Sequence, residues 1–322
     1  SLKINKNNKL NFGNSGTLAR LLIGILSTTP NIEVNIIGDH SLNKRSMKSL
    51  MNLMKNFGAT FFPKNKFNFP IKLISSKMPI GITYKSGVSA QLKSAVILAG
   101  LNSNGHTTIL ETEKSRDHTE NILLNNKKII NIKGKKKRVI KIFGKRKLSS
   151  LKIKIPGDPS SAAFFSALTL MNKNSSLRIK NVGLNKTRIG FYHLLKKQGA
   201  KIKFENIKKT NNEIFGDITV KSCNLKPIRA SRIYYVSMTD EYPILFIMAA
   251  LINGKSIFKG ISGLANKESN RILEIKNILD QIDIRSKVKK DEFVIYGKGL
   301  FDASRKKVFV KNLGDHRICM ST

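Results

Sequence analysis

The sequence predicts an α/β protein of two domains, built from one repeated unit with its helices inside and its sheets outside. Three observations carry that expectation. Residues 14–38, 89–111, 158–183 and 240–260 share one plan: a polar start, a long apolar helix, a Gly or Asn turn, then an alternating strand. The helices are apolar nearly all round, as in residues 18–26 and 244–252, and a helix without a polar stripe is normally buried on every side. The strands behave oppositely: Asn31-Ile-Glu-Val-Asn-Ile alternates, which suits a sheet with one wet face. Buried helices and half-solvated sheets together exclude a Rossmann arrangement, in which helices cover both faces of a buried parallel sheet.

A second element follows some of these segments, an amphipathic helix running into a strand. It occurs at residues 47–62 with Gly58-Ala59 and at 191–204 with Gly199-Ala200, and residues 272–286 look like the same element without its glycine. Strands plus two helices then recur about every 70 residues. Residues 149–156 lie between the second and third repeats and form the natural boundary, giving domains at 1–154 and 155–322. Each long helix opens with capping chemistry: Asn14-Ser15-Gly16-Thr17, Ser89-Ala90-Gln91, Asp158-Pro159-Ser160-Ser161 and Asp240-Glu241. Symmetric packing would gather those N-termini, with their dipole ends and open amides, into a place suited to phosphate or carboxylate. Taken singly they are simply caps, and for Asp158 the cap is the better reading.

The composition, 40% hydrophobic and 25% charged over 322 residues, is that of a folded chain with room for two cores. The longest apolar run, residues 242–252, is about half of what a membrane-spanning helix needs. The opening Ser1-Leu-Lys-Ile-Asn-Lys is neither a secretory signal nor an Arg-rich transit peptide. Cys223 and Cys319 lie far apart and follow no metal spacing, so a reducing, cytoplasmic setting fits. A net charge of +39 invites a nucleic-acid reading. The excess is mostly Lys scattered among many Asn and Ile, however, and all three have A/T-rich codons. Only residues 135–138 and 145–147 form basic clusters, so compositional drift is the better account and no nucleic-acid partner is expected. A basic cleft would still attract small anionic substrates.

From Asn14-Ser-Gly-Thr-Leu-Ala-Arg20 onward the chain resembles the EPSP synthase family of enolpyruvyl transferases. Gly38-Asp-His-Ser-Leu-Asn-Lys-Arg45-Ser-Met is similar to the family's Gly-Asp-x-Ser-Leu-x-x-Arg-Pro-Met stretch. Ser89-Ala-Gln-Leu-Lys-Ser94 and Ser115-Arg-Asp-His-Thr-Glu120 match two further motifs. Pro156-Gly-Asp-Pro-Ser-Ser161, Asp240-Glu-Tyr-Pro243, Lys267-Glu-Ser-Asn-Arg271 and Gly314-Asp-His-Arg317 follow in family order. Each is weak alone; eight in order across most of the chain are not. The resemblance implies a two-domain inside-out α/β barrel of repeated βαβαββ units, with the active site between the domains. It implies a monomeric, cytoplasmic enzyme that joins phosphoenolpyruvate to the 5-hydroxyl of shikimate 3-phosphate by addition and elimination, without metal or redox cofactor.

Such chemistry needs fixed cations for two highly charged anions, and Arg suits it because its planar fork binds carboxylate or phosphate in two-point fashion. Against a Lys-rich background, Arg20, Arg45, Arg116, Arg271 and Arg317 all fall inside the motifs. By resemblance, Arg45, Arg271 and Arg317 hold phosphoenolpyruvate, with the Gly16 amide and Gln91; Arg20 is as readily a packing residue. Ser89, the Ala90 amide and Gln91 are the expected ligands of shikimate 3-phosphate, with Ser115 or Arg116 closing from a neighbouring repeat and Lys267 adding a further contact. Ser89 read alone is a helix cap, and Lys93, two residues past Gln91, is expected to point elsewhere on its helix. Proton transfer needs a base and an acid, and the family pattern assigns these to Asp240, facing the hydroxyl and itself a shikimate-side contact, and Glu268, facing phosphoenolpyruvate. Without that pattern, Asp240-Glu241 reads as an acidic helix start. The first domain is thus expected on the shikimate side, and the second carries the carboxylates and the phosphoenolpyruvate arginines.

Asn270 stands where the family usually has an acidic residue and Ser46 where it has proline. The family's opening Gly-x-Lys-Ser-x-x-x-Arg is not found, and the chain ends soon after Arg317, so both domains are expected to be incomplete, at the start and at the end. That leaves the activity of the chain as given an open expectation, a catalytically dead remnant being one outcome. His316 is expected to position its loop. A UDP-N-acetylglucosamine enolpyruvyl transferase would carry a catalytic Cys in a Gly-rich loop, which Cys223 in Lys-Ser-Cys-Asn-Leu does not resemble. An RNA 3′-terminal phosphate cyclase would use the charge but leaves Asp240 and Glu268 among arginines unexplained.

Overall fold

The computed structural model describes residues 9–135, 137–300, 307–311 and 314–322. The opening residues read for a targeting signal, and Lys136 of the first basic cluster, lie outside them. The chain resolves into two compact units, Ser1–Ile153 and Lys154–Thr322.

The first unit holds two repeats. One comprises β1 (Lys9–Asn11), α1 (Gly16–Thr28), β2 (Glu33–Ile37), a short α2 (His40–Lys44), α3 (Lys48–Asn56), β3 (Thr60–Phe62) and β4 (Ile71–Ile74). The next comprises β5 (Thr83–Ser86), α4 (Ala90–Asn102), β6 (His106–Glu111), α5 (His118–Leu123), β7 (Ile130–Lys133) and β8 (Arg138–Phe143). The second unit begins with α6 (Pro159–Met171), β9 (Ser176–Gly183), α7 (Gly190–Lys197), β10 (Lys201–Thr210) and β11 (Glu213–Lys221). It continues with β12 (Arg229–Ala230), α8 (Tyr242–Ala250), β13 (Gly254–Lys259), α9 (Arg271–Gln281), β14 (Ser286–Lys289), β15 (Glu292–Gly297) and α10 (His316–Cys319).

The sheets make the repeat explicit. Three of them run β1-β2-β4-β3, β5-β6-β8-β7 and β12-β13-β15-β14, with the first pair parallel and the rest antiparallel. The remaining sheet is β10-β11-β9, and a single parallel bridge from Gly157 to Val182 stands where its first strand would be. All four repeats are therefore βαβαββ units with open sheets, and no sheet closes into a barrel among the described residues.

Left-handed residues end the helices on schedule. Asn31, Gly105 and Asn174 take positive φ between a long helix and its strand, and Gly254 does so as the first residue of β13. After the second helices, Gly58 and Gly199 do so, and Asp283 takes the same position in the repeat that lacks the glycine. In all three, the next residue's amide reaches back to the helix: Ala59 to Met54, Ala200 to Leu195 and Ile284 to Leu279, which satisfies carbonyls that the helix end leaves open.

The layering follows burial. No residue of α4 is exposed, and α8 is buried apart from half-buried Ile247. Strand β6 alternates between dry and wetter residues, as do β2 and β8. The expectation of all-round burial needs correcting for α1, where Leu18 at the open N-terminal end is 49% exposed. On α6, Phe165 and Leu168 likewise form a surface-facing apolar stripe. In the first unit α1 packs against α4, and Gly24 makes this possible: a Cβ there would lie 2.6 Å from the Ala95 carbonyl oxygen. Contacts Thr17–Gln91, Gly24–Ala95 and Thr29–Asn102 run in one direction, so α1 and α4 are parallel with N-termini side by side.

Candidate active site

In the first unit the adjacent N-termini of α1 and α4 collect five of the expected ligands. Ser15 caps α1 by accepting from the Leu18 amide at 3.1 Å, and Ser89 caps α4 by accepting from Leu92 at 3.4 Å. Gly16 follows the first cap, and a Cβ there would fall 2.7 Å from one Arg20 nitrogen and 3.2 Å from one of Arg45. Only glycine leaves both guanidinium groups their place. Arg20 donates to the Gly16 carbonyl at 3.0 Å, and Arg45, at the end of α2, donates to Asn14 Oδ1 at 2.7 Å. Gln91 donates to the Thr17 hydroxyl at 2.7 Å. Gly16, Arg45 and Gln91 thus stand together, with half-buried Ser89 and Ala90 two residues and one residue before Gln91. Two parallel helix N-termini beside an arginine are a ready anion site.

Ser115, expected with Arg116 to close on shikimate 3-phosphate, lies against Glu111. It is fully enclosed, and both its amide and its hydroxyl donate to Glu111 Oε1, at 3.2 and 3.3 Å. Arg116, next in the chain, is half-buried. Lys93 points away from the cap residues, as its spacing suggested, into the interior between Glu111 and Glu120.

In the second unit the centre is Arg271, the first residue of α9, which is 1% exposed. Its Nε donates to Asp315 Oδ2 at 2.9 Å, its Nη2 donates to Glu268 at 2.8 Å, and Asp240 Oδ1 lies 3.5 Å from Nη1. Burial alone would lower the Arg271 pKa, but the bond to Asp315 and the charges of Asp315, Glu268 and Asp240 outweigh it and raise it. Asp315 is equally buried, accepts also from the Ser269 hydroxyl and the Arg317 amide, and is held below the usual carboxylate range. Burial opposes that shift, and the Arg271 fork with Ser269 overcomes it. Nη1 of Arg271 makes no hydrogen bond among the described residues. Lys267 and Glu268 precede it on the loop after a 3-10 turn at Ser262–Asn266, both half-buried.

Asp240 and Glu241 do not cap α8, contrary to the sequence expectation. No side-chain cap bond forms there, and Pro243 in the first turn removes one N–H that would need one. Asp240 faces Arg271 instead. Asn270, in the place of the family's acidic residue, caps α9 by accepting from the Leu273 amide at 3.3 Å. Arg317 lies over the Phe164 ring, 5.8 Å from its centroid, and 3.9 Å from Asp158 Oδ2. Asp158 caps α6, as its sequence position suggested, and also receives Arg188 at 2.7 Å. His316 is exposed in the first turn of α10.

Three residues with clear work escaped the sequence reading. Asp315 lies within Gly314-Asp-His-Arg317 and had no assigned role, although an Asp at a helix start is a cap signal. Tyr235 lies within the electrostatic reach of Arg271 and Asp240, and Gly263 leaves room for its hydroxyl. Glu111 ends a strand, and nothing local announces that Ser115 and Lys93 meet on it. Among the described residues no group of His, Cys, Asp and Glu is arranged to hold a metal ion.

The family model described as EPSP synthase (3-phosphoshikimate 1-carboxyvinyltransferase) matches residues 1–322. A 3-phosphoshikimate 1-carboxyvinyltransferase of Petrotoga mobilis is 40% identical over 321 residues, covering 99% of this chain and 73% of the relative. One from Zymomonas mobilis is 38% identical over 319 residues, covering 98% and 70%. An EPSP synthase structure from Acinetobacter baumannii superposes with a TM-score of 0.79 at 34% identity, covering 98% of this chain and 71% of that one.

Proposed function

The chain belongs to the EPSP synthase family, the 3-phosphoshikimate 1-carboxyvinyltransferases, and from that premise we propose how its own residues share the work of enolpyruvyl transfer. The reaction moves the enolpyruvyl group of phosphoenolpyruvate to the 5-hydroxyl of shikimate 3-phosphate and releases phosphate, a step toward chorismate and the aromatic amino acids.

The first unit is the shikimate 3-phosphate side: the Ser89 hydroxyl, the Ala90 amide and Gln91 take its phosphate at the N-terminus of α4, with Ser115 or Arg116 closing. The Gly16 amide and Arg45, beside Gln91, take phosphoenolpyruvate. In the second unit Asp240 accepts the proton of the attacking hydroxyl, Glu268 serves the methylene carbon, Lys267 contacts shikimate 3-phosphate, and Arg271 and Arg317 hold phosphoenolpyruvate. The observation that carries this reading is Arg271 set among Asp240, Glu268 and Asp315. Asp315 fixes the guanidinium from behind, and the same group holds the two proposed proton carriers 3.5 and 2.8 Å away. A cation so placed, with Nη1 facing Asp240, favours the ionised form of a base.

The chain works on small anionic substrates as a monomer in the cytoplasm, without nucleic-acid or membrane partners. Both cysteines are free thiols, and no helix is long and apolar enough to cross a membrane among the described residues. Phosphate release with both substrates tests the reading. Ser89→Ala is expected to raise the KM for shikimate 3-phosphate about tenfold, and Arg317→Ala that for phosphoenolpyruvate by at least as much, the scale of one charge-assisted hydrogen bond. Equal effects of each variant on both substrates would refute the division of ligands.

A further inference from the structure

Beneath the cap residues of α4 lies a set of enclosed charges that the reaction does not use. The Lys93 ammonium has no exposed surface and lies 2.6 Å from Glu111 Oε1 and 2.7 Å from Glu120 Oε1, both carboxylates equally enclosed. Arg138, at the start of β8, completes the set: Nε is 3.2 Å from Glu111 Oε2, Nη2 3.3 Å from Glu120 Oε1, and Nη1 3.6 Å from Asp117 Oδ2. Burying such charges gains little over an apolar core of the same volume, because desolvation offsets their attraction. What the set does fix is geometry.

Glu111 Oε1 receives Lys93 from α4 on one side and both donors of Ser115 on the other. Lys93 stands two residues beyond Gln91, at the helix end that carries the caps. Ser94, the next residue, lies 2.8 Å from Thr119, hydroxyl to hydroxyl, and ties the same turn to α5. The loop between β6 and α5 is therefore held to the first turns of α4 at both of its ends. Ser115 is the peg within it, and half-buried Arg116 is the cation next to the peg.

We propose that Lys93, Glu111, Glu120 and Arg138 are positioning residues for shikimate 3-phosphate, which anchor Ser115 so that Arg116 meets the phosphate bound at Ser89 and Gln91. This settles the choice between Ser115 and Arg116: Ser115 anchors and Arg116 binds. It rests on the reading of the α4 N-terminus as the phosphate site.

The test is steady-state kinetics on Glu111→Gln, Arg116→Ala, their double variant and Ser89→Ala. Glu111→Gln is expected to raise the KM for shikimate 3-phosphate about tenfold while that for phosphoenolpyruvate stays within about twofold. In the Arg116→Ala background Glu111→Gln is expected to add nothing further, since it acts through Arg116. A merely structural role would raise both KM values alike or add its effect in full, and either result overturns the proposal. Should Glu111→Gln fail to fold, with Lys93 left short of a charge, the charge-neutral pair Lys93→Met/Glu111→Gln answers the same question. If Ser89→Ala and Arg116→Ala both leave the shikimate 3-phosphate KM unchanged, the phosphate site itself is wrong. If they raise it and Glu111→Gln and the neutral pair do not, the site stands and the positioning role falls.

Discussion

Lys93 in the first unit and Arg271 in the second are both buried cations with several carboxylates, yet their surroundings differ in one respect. Around Lys93, the partners Glu111 and Glu120 are as enclosed as the ammonium itself. Around Arg271, only Asp315 is enclosed; the side chains of Asp240 and Glu268 keep 22% and 29% of their surface. A sealed cluster can only hold its neighbours in place. A cluster with an open side can hold one partner rigidly and present the others to a ligand, which is what proton transfer to a bound substrate requires. Residue identity does not separate the two, since each is a cation among carboxylates; the enclosure of the acids does.

The sharpest way to break that comparison is to neutralise an open acid. Asp240→Asn is nearly the same shape and leaves Arg271 its bonds to Glu268 and Asp315. Turnover is expected to fall about 10²–10⁴-fold, the usual scale for a lost general base, while the dissociation constant for shikimate 3-phosphate, measured by calorimetry, changes little. Near-normal turnover would show that an open acid beside a buried arginine is not the catalytic base.

Next in size is the enclosed partner of the open cluster. Asp315→Asn leaves the Arg271 guanidinium buried without the carboxylate that fixes its Nε and removes an acceptor from Ser269 and the α10 cap. Breaking a buried pair from one side destabilises by about 3–5 kcal/mol, and the remaining Glu268 and Asp240 should keep the loss near the lower figure. Urea unfolding gives the number. A loss confined to the few tenths typical of surface pairs would mean that Asp315 does not anchor the site.

How much of this was legible follows from distance along the chain. The repeat was legible because it is written locally: apolar helices, alternating strands and left-handed turn residues at fixed places. Even the repeat without a glycine could be found, and the structure shows Asp283 filling that left-handed position, a role Asp tolerates better than most residues. Ser15, Ser89 and Asp158 were legible as caps for the same reason, whereas Asp240-Glu241 mimicked a cap that Pro243 and Arg271 make unnecessary. The two clusters were not legible. Lys93 meets Glu111 and Glu120 across 18 and 27 positions, and Arg271 meets Asp315 across 44. No local pattern encodes such pairings. The exposed Phe165 and Leu168 also escaped, because an all-apolar helix says that burial is favoured and not which neighbour supplies it.

The smallest expected effect, and the one that separates the clusters most cleanly, is on the pH dependence of stability. Asp315 is held below its ordinary value, since Arg271 and Ser269 overcome the opposing effect of burial. A carboxyl depressed in the folded state adds stability that is full above its unfolded value and is lost as pH falls through the folded one. Glu120 is shifted the other way: burial pushes its carboxyl up, and the charge and hydrogen bond of Lys93, with the charge of Arg138, only partly restrain it. The folded state then holds a proton that the unfolded state would release. Its ionised form therefore weakens the fold at neutral pH, and stability is regained as pH falls from the raised folded value to the ordinary glutamate value. The two variants should bend the stability curve in opposite senses. Asp315→Asn removes a loss on the acid side, below the ordinary aspartate value. Glu120→Gln removes a gain on descending from neutrality toward the ordinary glutamate value. Unfolding free energies of wild type and both variants, taken at half-unit steps of pH from about neutrality down to the onset of acid unfolding, supply the slopes directly. If Glu120→Gln leaves the acid loss unchanged, or flattens it as Asp315→Asn does, the enclosed glutamate is ionised at little cost. The contrast between a sealed and an open cluster would then have to rest on kinetics alone.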